Sequence, residues 1–178
     1  VMIDGRPINN PRDGQAEINS IPLANIERIE VMHGPASSLY GAGAMGGIVN
    51  IITKRPPKEK QKIEFYSGFG TFRTYTERLS YGARILKLGF LVSGEYLSSG
   101  GFRANTEFDS KNINTKFEYE LGINNTLSLN TGYYRSKTGT PGSITAPDRD
   151  DKQISIKNFQ DASWSFKPDE TTALSARI

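Results

Sequence analysis

Between residues 112 and 121 the chain alternates without a break. Ile113, Thr115, Phe117, Tyr119 and Leu121 occupy the odd positions, and Asn112, Asn114, Lys116, Glu118 and Glu120 the even ones. Successive side chains of a strand point to opposite faces, so this spacing predicts a strand with one apolar and one polar face. The same parity recurs in Leu127, Leu129, Thr131 and Tyr133 against Ser128, Asn130, Gly132 and Tyr134, and in Leu86, Leu88, Phe90, Val92 and Tyr96 against Lys87, Gly89, Ser93 and Glu95. Further strands are expected near 61–69, 74–84 and 152–166, the last with Ile154, Ile156, Ala162, Trp164 and Phe166 on one parity. Six such strands in succession predict an antiparallel meander.

The connections alternate in length. Tight turns are expected at 85–87, 122–125 and 167–170, whereas 98–110 and 137–151 are long, polar and rich in Gly or Pro, with a brief loop at 70–73 on the same side. A transmembrane β-barrel has this asymmetry, short turns at one end and long loops at the other, with strands alternating apolar-out and polar-in. Phe69, Phe72, Tyr96, Tyr133 and Phe166 near strand ends suit interfacial girdles. A soluble β-sandwich or lipocalin-like barrel also alternates, so periodicity leaves both readings open.

Other classes are excluded more firmly. There is no cysteine, hence no disulfide framework, thiolate metal site or cysteine nucleophile. No apolar run approaches the ~18 residues of a spanning helix, and the mean hydropathy is −0.49. The net charge is +3, but residues 54–62 (KRPPKEKQK) place five Lys or Arg against the single Glu59. The basic excess is therefore local, and nothing points to a nucleic-acid partner.

Periodicity changes at Pro56-Pro57. Residues before it predict a small α+β unit: a strand at VMIDG, a loop over 9–19, a helical turn with Pro22 at its first position, and a strand at IERIEVM. In that strand Arg28 and Glu30 share one face, and Ile29 and Val31 the other. A short helix over 35–40, stopped by Gly41, and a strand at IVNIIT complete the unit. Gly41, Gly43 and Gly46 satisfy the G-x-G-x-x-G spacing of a dinucleotide turn. Such a turn must open a helix whose N-terminus receives the pyrophosphate, and here IVNIIT and two prolines leave no room for one. No nucleotide cofactor is expected; the glycines instead suit positive φ and close backbone packing.

Several segments of this first third, MIDG (2–5), IERIEV (26–31), GPASSLYG (34–41), Gly46-Gly47 and VNIIT (49–53), resemble in order and separation the plug-domain motifs of TonB-dependent outer-membrane receptors. The resemblance implies the C-terminal part of a plug domain over 1–55, a basic linker over 56–62, and the first six or seven strands of the outer-membrane β-barrel over 63–178. A barrel of 22 strands at ~10 residues each needs roughly 220 residues, so the chain is expected to be a fragment of a plugged 22-stranded barrel. It further implies a protein that is not an enzyme and has no cofactor. The implied function is active import of a scarce ligand of the ferric siderophore, haem or cobalamin class across the cell outer membrane of a Gram-negative bacterium, driven by TonB through a segment before Val1. A passive porin would share the strands but not the α+β unit; a soluble carbohydrate-binding β protein would account for the aromatics and loops.

The resemblance also nominates residues. Arg28, ordered by Glu27 and Glu30, would form a plug–barrel latch, with His33 where the family commonly has arginine. Gly34, Pro35, Gly41, Gly46, Gly47 and Asn50 carry the structural motif. The apical plug loop (Asn10, Arg12, Asp13, Gln15) and Arg103 of a long loop would contact a small-molecule or metal-chelate ligand. The weak metal candidates are Asp148, Asp150 and Asp151, a cluster able to order its loop around a divalent cation. Ordinary solvated loop charge, and for His33 a structural hydrogen bond, remain the plain alternatives.

Overall fold

The computed structural model describes the chain except for residues 11, 13, 17, 38–40, 59, 60 and 170, and except for the side chains of 19 and 42. It divides into two units, Val1–Lys54 and Arg55–Ile178.

The first unit is a four-stranded sheet in the order β2-β1-β4-β3, with β1 at Met2–Ile3, β2 at Arg6–Pro7, β3 at Ile26–His33 and β4 at Gly47–Thr53. The VMIDG segment is therefore not one strand. Asp4 and Gly5 both have positive φ, 47° and 82°, which turns β1 into β2 through the two-residue hairpin geometry that Asp-Gly favours. β4 lies at the centre because IVNIIT is β-branched on both faces. It pairs parallel with β1 (Met2 opposite Asn50) and antiparallel with β3 (His33 opposite Gly47). Asp4 ties the hairpin to the far end of β4, its carboxylate accepting the Thr53 N–H at 2.9 Å and the Thr53 hydroxyl at 2.6 Å.

Between the strands the described residues include short 3₁₀ turns at Ile18–Ser20, Leu23–Asn25 and Ala42–Ala44. Pro22 caps the second of these rather than opening it. Of the helix expected over 35–40, Ser37 is helical and its carbonyl accepts the Gly41 N–H at 3.0 Å, an α-helical bond; residues 38–40 lie outside the described residues. Met2, Ala36, Ala44 and Ile48 form a buried apolar cluster, each large member stabilising the unit by about 1.5–3 kcal/mol.

The second unit is a seven-stranded antiparallel meander in chain order. Its strands are β5 at Gln61–Gly70, β6 at Thr74–Ile85, β7 at Leu88–Ser99, β8 at Phe108–Gly122, β9 at Asn125–Gly139, β10 at Lys152–Phe166 and β11 at Leu174–Arg177. The strands run further into the loops than alternation predicts, so the long connections shrink to 100–107 and 140–151. After β10 the difference runs the other way. The expected tight turn over 167–170 is a longer connection over 167–173, shaped by Asp169 Oδ1, which accepts the Thr171 and Thr172 N–H groups at 2.9 and 2.7 Å.

Register lays like upon like. Phe90, Phe117, Leu129 and Ala162 stand in one cross-strand row, and Ser80, Ser93 and Asn114 in another. The apolar rows are the exposed ones: Phe65 is 68% and Ile113 54% accessible, whereas Asn114 is 2% and Ser93 1%. This inverts the polarity of a water-soluble sheet, in which the apolar face is the buried one. Aromatic rings collect at both ends of the apolar face. Tyr75 packs against Phe69 (5.0 Å between centroids) and Tyr96 (6.3 Å) at the long-loop end, and Trp164 stacks on Phe166 (6.2 Å) at the short-turn end. Tyr133, expected with them, lies outward but makes no ring contact among the described residues.

Gly47 tests the first unit. Its φ is +139°, and a Cβ there would lie 2.4 Å from the Met32 carbonyl oxygen. Gly47→Val is expected to lower protection of the β3–β4 amides in hydrogen exchange by about 1–3 kcal/mol. Gly43→Ala, with nothing within 4 Å of its Cβ position, should leave that protection unchanged.

Candidate functional site

The nominated residues fall into three places. The first is edge strand β3. A bulge between Ile26 and Arg28 leaves Glu27 outside the regular pairing, and bulges of this kind re-aim neighbouring side chains. Arg28 then reaches both carboxylates of its own strand. Its Nε donates to Glu30 Oε1 at 2.9 Å, its Nη2 lies 2.8 Å from the same oxygen, and its Nη1 lies 3.4 Å from Glu27 Oε1. The guanidinium is not buried within this unit; the side chain is 56% exposed. Glu30 Oε2 accepts from Asn50 Nδ2 at 3.4 Å, and Asn50 Oδ1 accepts the Gly5 N–H at 3.0 Å. Glu27, Arg28, Glu30 and Asn50 are thus one hydrogen-bonded group across the sheet. His33, at the end of β3, joins no ion pair among the described residues. Gly34 has a φ of 106°, and its N–H donates to the Gly46 carbonyl at 3.4 Å, closing the loop that Pro35 enters.

The second place is the loop after β2. The Asn10 N–H donates to the Gln15 carbonyl and the Gly14 N–H to the Asn10 carbonyl, each at 2.8 Å, and Asn10 Oδ1 accepts the Arg12 N–H at 2.9 Å. Asn10 is therefore occupied in building the turn, while the Arg12 side chain is exposed. Asp13 lies outside the described residues.

The third place is the pair of long loops, which are joined to each other. Arg103 Nη2 donates to the carbonyls of Pro141 at 2.9 Å and Gly142 at 2.7 Å. Asn105, buried and with φ +55°, spreads its Nδ2 over the carbonyls of Thr140, Asp148 and Asp151 at 3.2, 3.3 and 3.0 Å. Its Oδ1 accepts from Lys152 Nζ at 2.9 Å, and the same ammonium pairs with Glu107. An open cleft of about 520 Å³ lies between Arg73 and the 100–107 loop, and a smaller one of about 270 Å³ is lined by Ser99, Asp109, Lys137 and Lys152. Glu107 lines both.

The aspartates do not converge on a cation site. Asp148 Oδ1 instead accepts the backbone N–H groups of Asp150 at 3.0 Å and Asp151 at 2.9 Å. No group of three or more His, Asp or Glu able to hold a metal ion occurs among the described residues. The Asp151 and then the Asp150 N–H hold the Asp148 carboxyl below its ordinary value of 3.8. The hydrogen bond from Lys152 holds Glu107 below 4.5. Asn105 and Lys152 escape sequence reasoning because neither belongs to a motif; the one available signal is that Asn adopts positive φ more readily than other non-glycine residues.

With this geometry in view, the similarities to known proteins are specific. Residues 1–48 match the TonB-dependent Receptor Plug Domain family. The ferric enterobactin receptor PirA of Pseudomonas aeruginosa is 33% identical over 129 residues, covering 64% of this chain and 17% of that protein. The vitamin B12 transporter BtuB of Photobacterium profundum is 31% identical over 156 residues, covering 83% of this chain and 26% of that protein. The crystal structure of the siderophore receptor PiuA from Acinetobacter baumannii superposes with a TM-score of 0.79 at 18% identity, over 99% of this chain and 28% of that one. The chain belongs to the TonB-dependent receptor family, with plug-domain sequence followed by antiparallel barrel-type strands. It spans about a sixth to a quarter of the curated relatives just named. Those relatives are receptors and transporters, not enzymes.

The loop junction makes a linked prediction for the full-length receptor. Asn105→Ala should cost about 1–3 kcal/mol of local order, because three carbonyls lose a buried donor, read as faster amide exchange at Thr140 and Asp151. Asp148 and Glu107 have depressed folded-state values, so their contribution is complete above the ordinary values and is lost as pH falls through the folded ones. Protection at Asp150 and Asp151 should hold from neutrality to about pH 4 and fall below it; a fall that begins at pH 6 would contradict the assignment.

Proposed function

We propose that this chain supplies plug and opening barrel strands to an outer-membrane receptor that takes up a ferric siderophore by TonB-dependent active import. The observation that carries the reading is the inverted sheet that follows the plug sequence. Seven consecutive strands keep a predominantly apolar exposed face and a predominantly polar opposite face, as a wall between hydrocarbon and a polar lumen requires. A passive pore needs no plug, and a water-soluble binding protein would not leave such rows of Ile, Leu and Phe exposed. Among the possible ligands, the ferric siderophore class is favoured by relatives named as ferric enterobactin and ferric aerobactin receptors; cobalamin is the competing class because a B12 transporter is also similar.

The test uses the full-length receptor in a host lacking its own uptake systems. Ferric catecholate or hydroxamate chelates should restore growth under iron limitation only while TonB is present, and membrane fractionation should recover the receptor with the outer membrane. Uptake that persists without TonB, or uptake of labelled cyanocobalamin with no iron chelate restoring growth, would overturn the proposal or its ligand class.

Within this function Arg28 is assigned to the plug latch. Two neighbouring carboxylates hold its guanidinium in one orientation while leaving it accessible, which suits a further carboxylate partner on the barrel wall. Arg28→Ala should change plug release, seen as a change in uptake rate with ligand affinity unaltered, and Arg28→Lys should restore it only in part. Uptake equal to wild type in Arg28→Ala removes this role.

A further inference from the structure

We infer that the inner, polar face of β6 and β7 carries a docking notch for the linker, formed by Gly82, Gly89 and Arg84 and filled by Pro56-Pro57. Charge alone would predict that the basic linker is simply a solvated tether. The structure instead lays its two prolines against the sheet. Pro56 is buried and Pro57 half-buried. A Cβ on Gly82 would lie 2.6 Å from Pro57 Cδ, and one on Gly89 would lie 2.8 Å from Pro56 Cβ. Two glycines on adjacent strands therefore provide the room that two proline rings take up.

Arg84 closes the notch. It stands opposite Gly89 in the β6–β7 register, and its Nε donates to the Pro57 carbonyl at 3.2 Å. The rest of the guanidinium is held by the barrel: Nη1 lies 2.6 Å from Glu120 Oε1 and Nη2 lies 3.5 Å from Glu118 Oε2, with the Arg84 side chain only 16% exposed. A proline has no N–H of its own and a fixed φ, so it loses little chain entropy when it docks and leaves its carbonyl as the group to be satisfied. Arg84 satisfies it with a donor already fixed by two carboxylates. The notch sits beside the short turn at Leu86–Lys87, next to the start of β5, so the chain is gripped before it enters the first strand of the sheet.

The consequence for transport rests on the import reading above. If the plug is displaced by force, the displacement propagates down the linker only as far as Pro56-Pro57, and the barrel's first hairpin is shielded from the pull. Gly82, Gly89 and Arg84 act in this as positioning residues, without touching ligand.

The experiment uses the full-length receptor with a nitroxide on Lys58→Cys. In the otherwise wild-type protein the label should report a mainly immobilised linker. Gly82→Val, which drives a side chain into the Pro57 ring, and Arg84→Ala, which removes the carbonyl's donor, should each raise the mobile-to-immobile ratio about tenfold. Gly94→Val is the control, because a Cβ there meets only the Asn112 carbonyl oxygen at an ordinary 3.7 Å; it should change nothing. A label already mobile in the wild type, or unmoved in both Gly82→Val and Arg84→Ala, overturns the notch. This readout needs neither ligand nor TonB, so its failure is distinct from failure of the import reading, which is decided by wild-type uptake.

Discussion

The structure depends on one constraint, the closure of backbone hydrogen bonds from strand to strand where side chains cannot help. The exposed face of the second unit is dominated by Ile, Leu, Phe and Tyr, which offer the backbone no donors or acceptors apart from the tyrosine hydroxyls. Most N–H and C=O groups between β5 and β11 must therefore find their partners on a neighbouring strand, and the continuous antiparallel pairing does this. In hydrocarbon an unpaired peptide group costs several kcal/mol, so a lipid-facing sheet tolerates little irregularity within its apolar band. The one register shift in the meander, between Glu120 and Gly122, falls beside a turn.

The polar face is free of that demand and carries the specific chemistry. Arg78 pairs with Glu95 at 2.7 Å, Arg84 with Glu118 and Glu120, and Arg177 with Asp161 at 3.2 Å. All are cross-strand pairs on rows that alternate with the apolar ones. The plug unit solves a different problem with few residues. Its sheet is small, so side chains of Asp4 and Asn50 stitch the hairpin to β4 and β3 where a larger sheet would rely on its ladder. The Arg28 group is an extension of the same stitching to the sheet's open edge.

Much of this is legible in the sequence, for a reason that can be stated. Alternation with period two is imposed on both faces at once when one must be apolar and the other polar, so Ile113 to Leu121 or Leu127 to Tyr134 admit few other readings. The plug strands are legible through short motifs, whereas reading VMIDG as one strand misses the Asp4-Gly5 turn inside it. What is not legible is set by contacts distant in sequence. Asn105 becomes a junction only because the 140–151 loop folds over it, and Gly82 and Gly89 look like weak points of their strands until the prolines are seen against them. Between β10 and β11 Asp169 captures the N–H groups of Thr171 and Thr172, a local bond that a count of turn residues does not reveal. At the candidate site the residue types are readable, but their commitments are not: Asn10 and Asp148 spend their polar atoms on their own backbone.

The two sheets also differ in how far apart in sequence their paired strands lie. In the meander every strand pairs with its immediate predecessor, so each hairpin can form as soon as its second arm exists and the wall can grow by accretion. The plug sheet cannot, because β1 pairs with β4, Met2 opposite Asn50, and the intervening loop must close first, an entropic delay that local hairpins escape. On that ground the first unit's sheet needs a long loop closure before β1 meets β4, whereas the meander can grow one neighbour at a time.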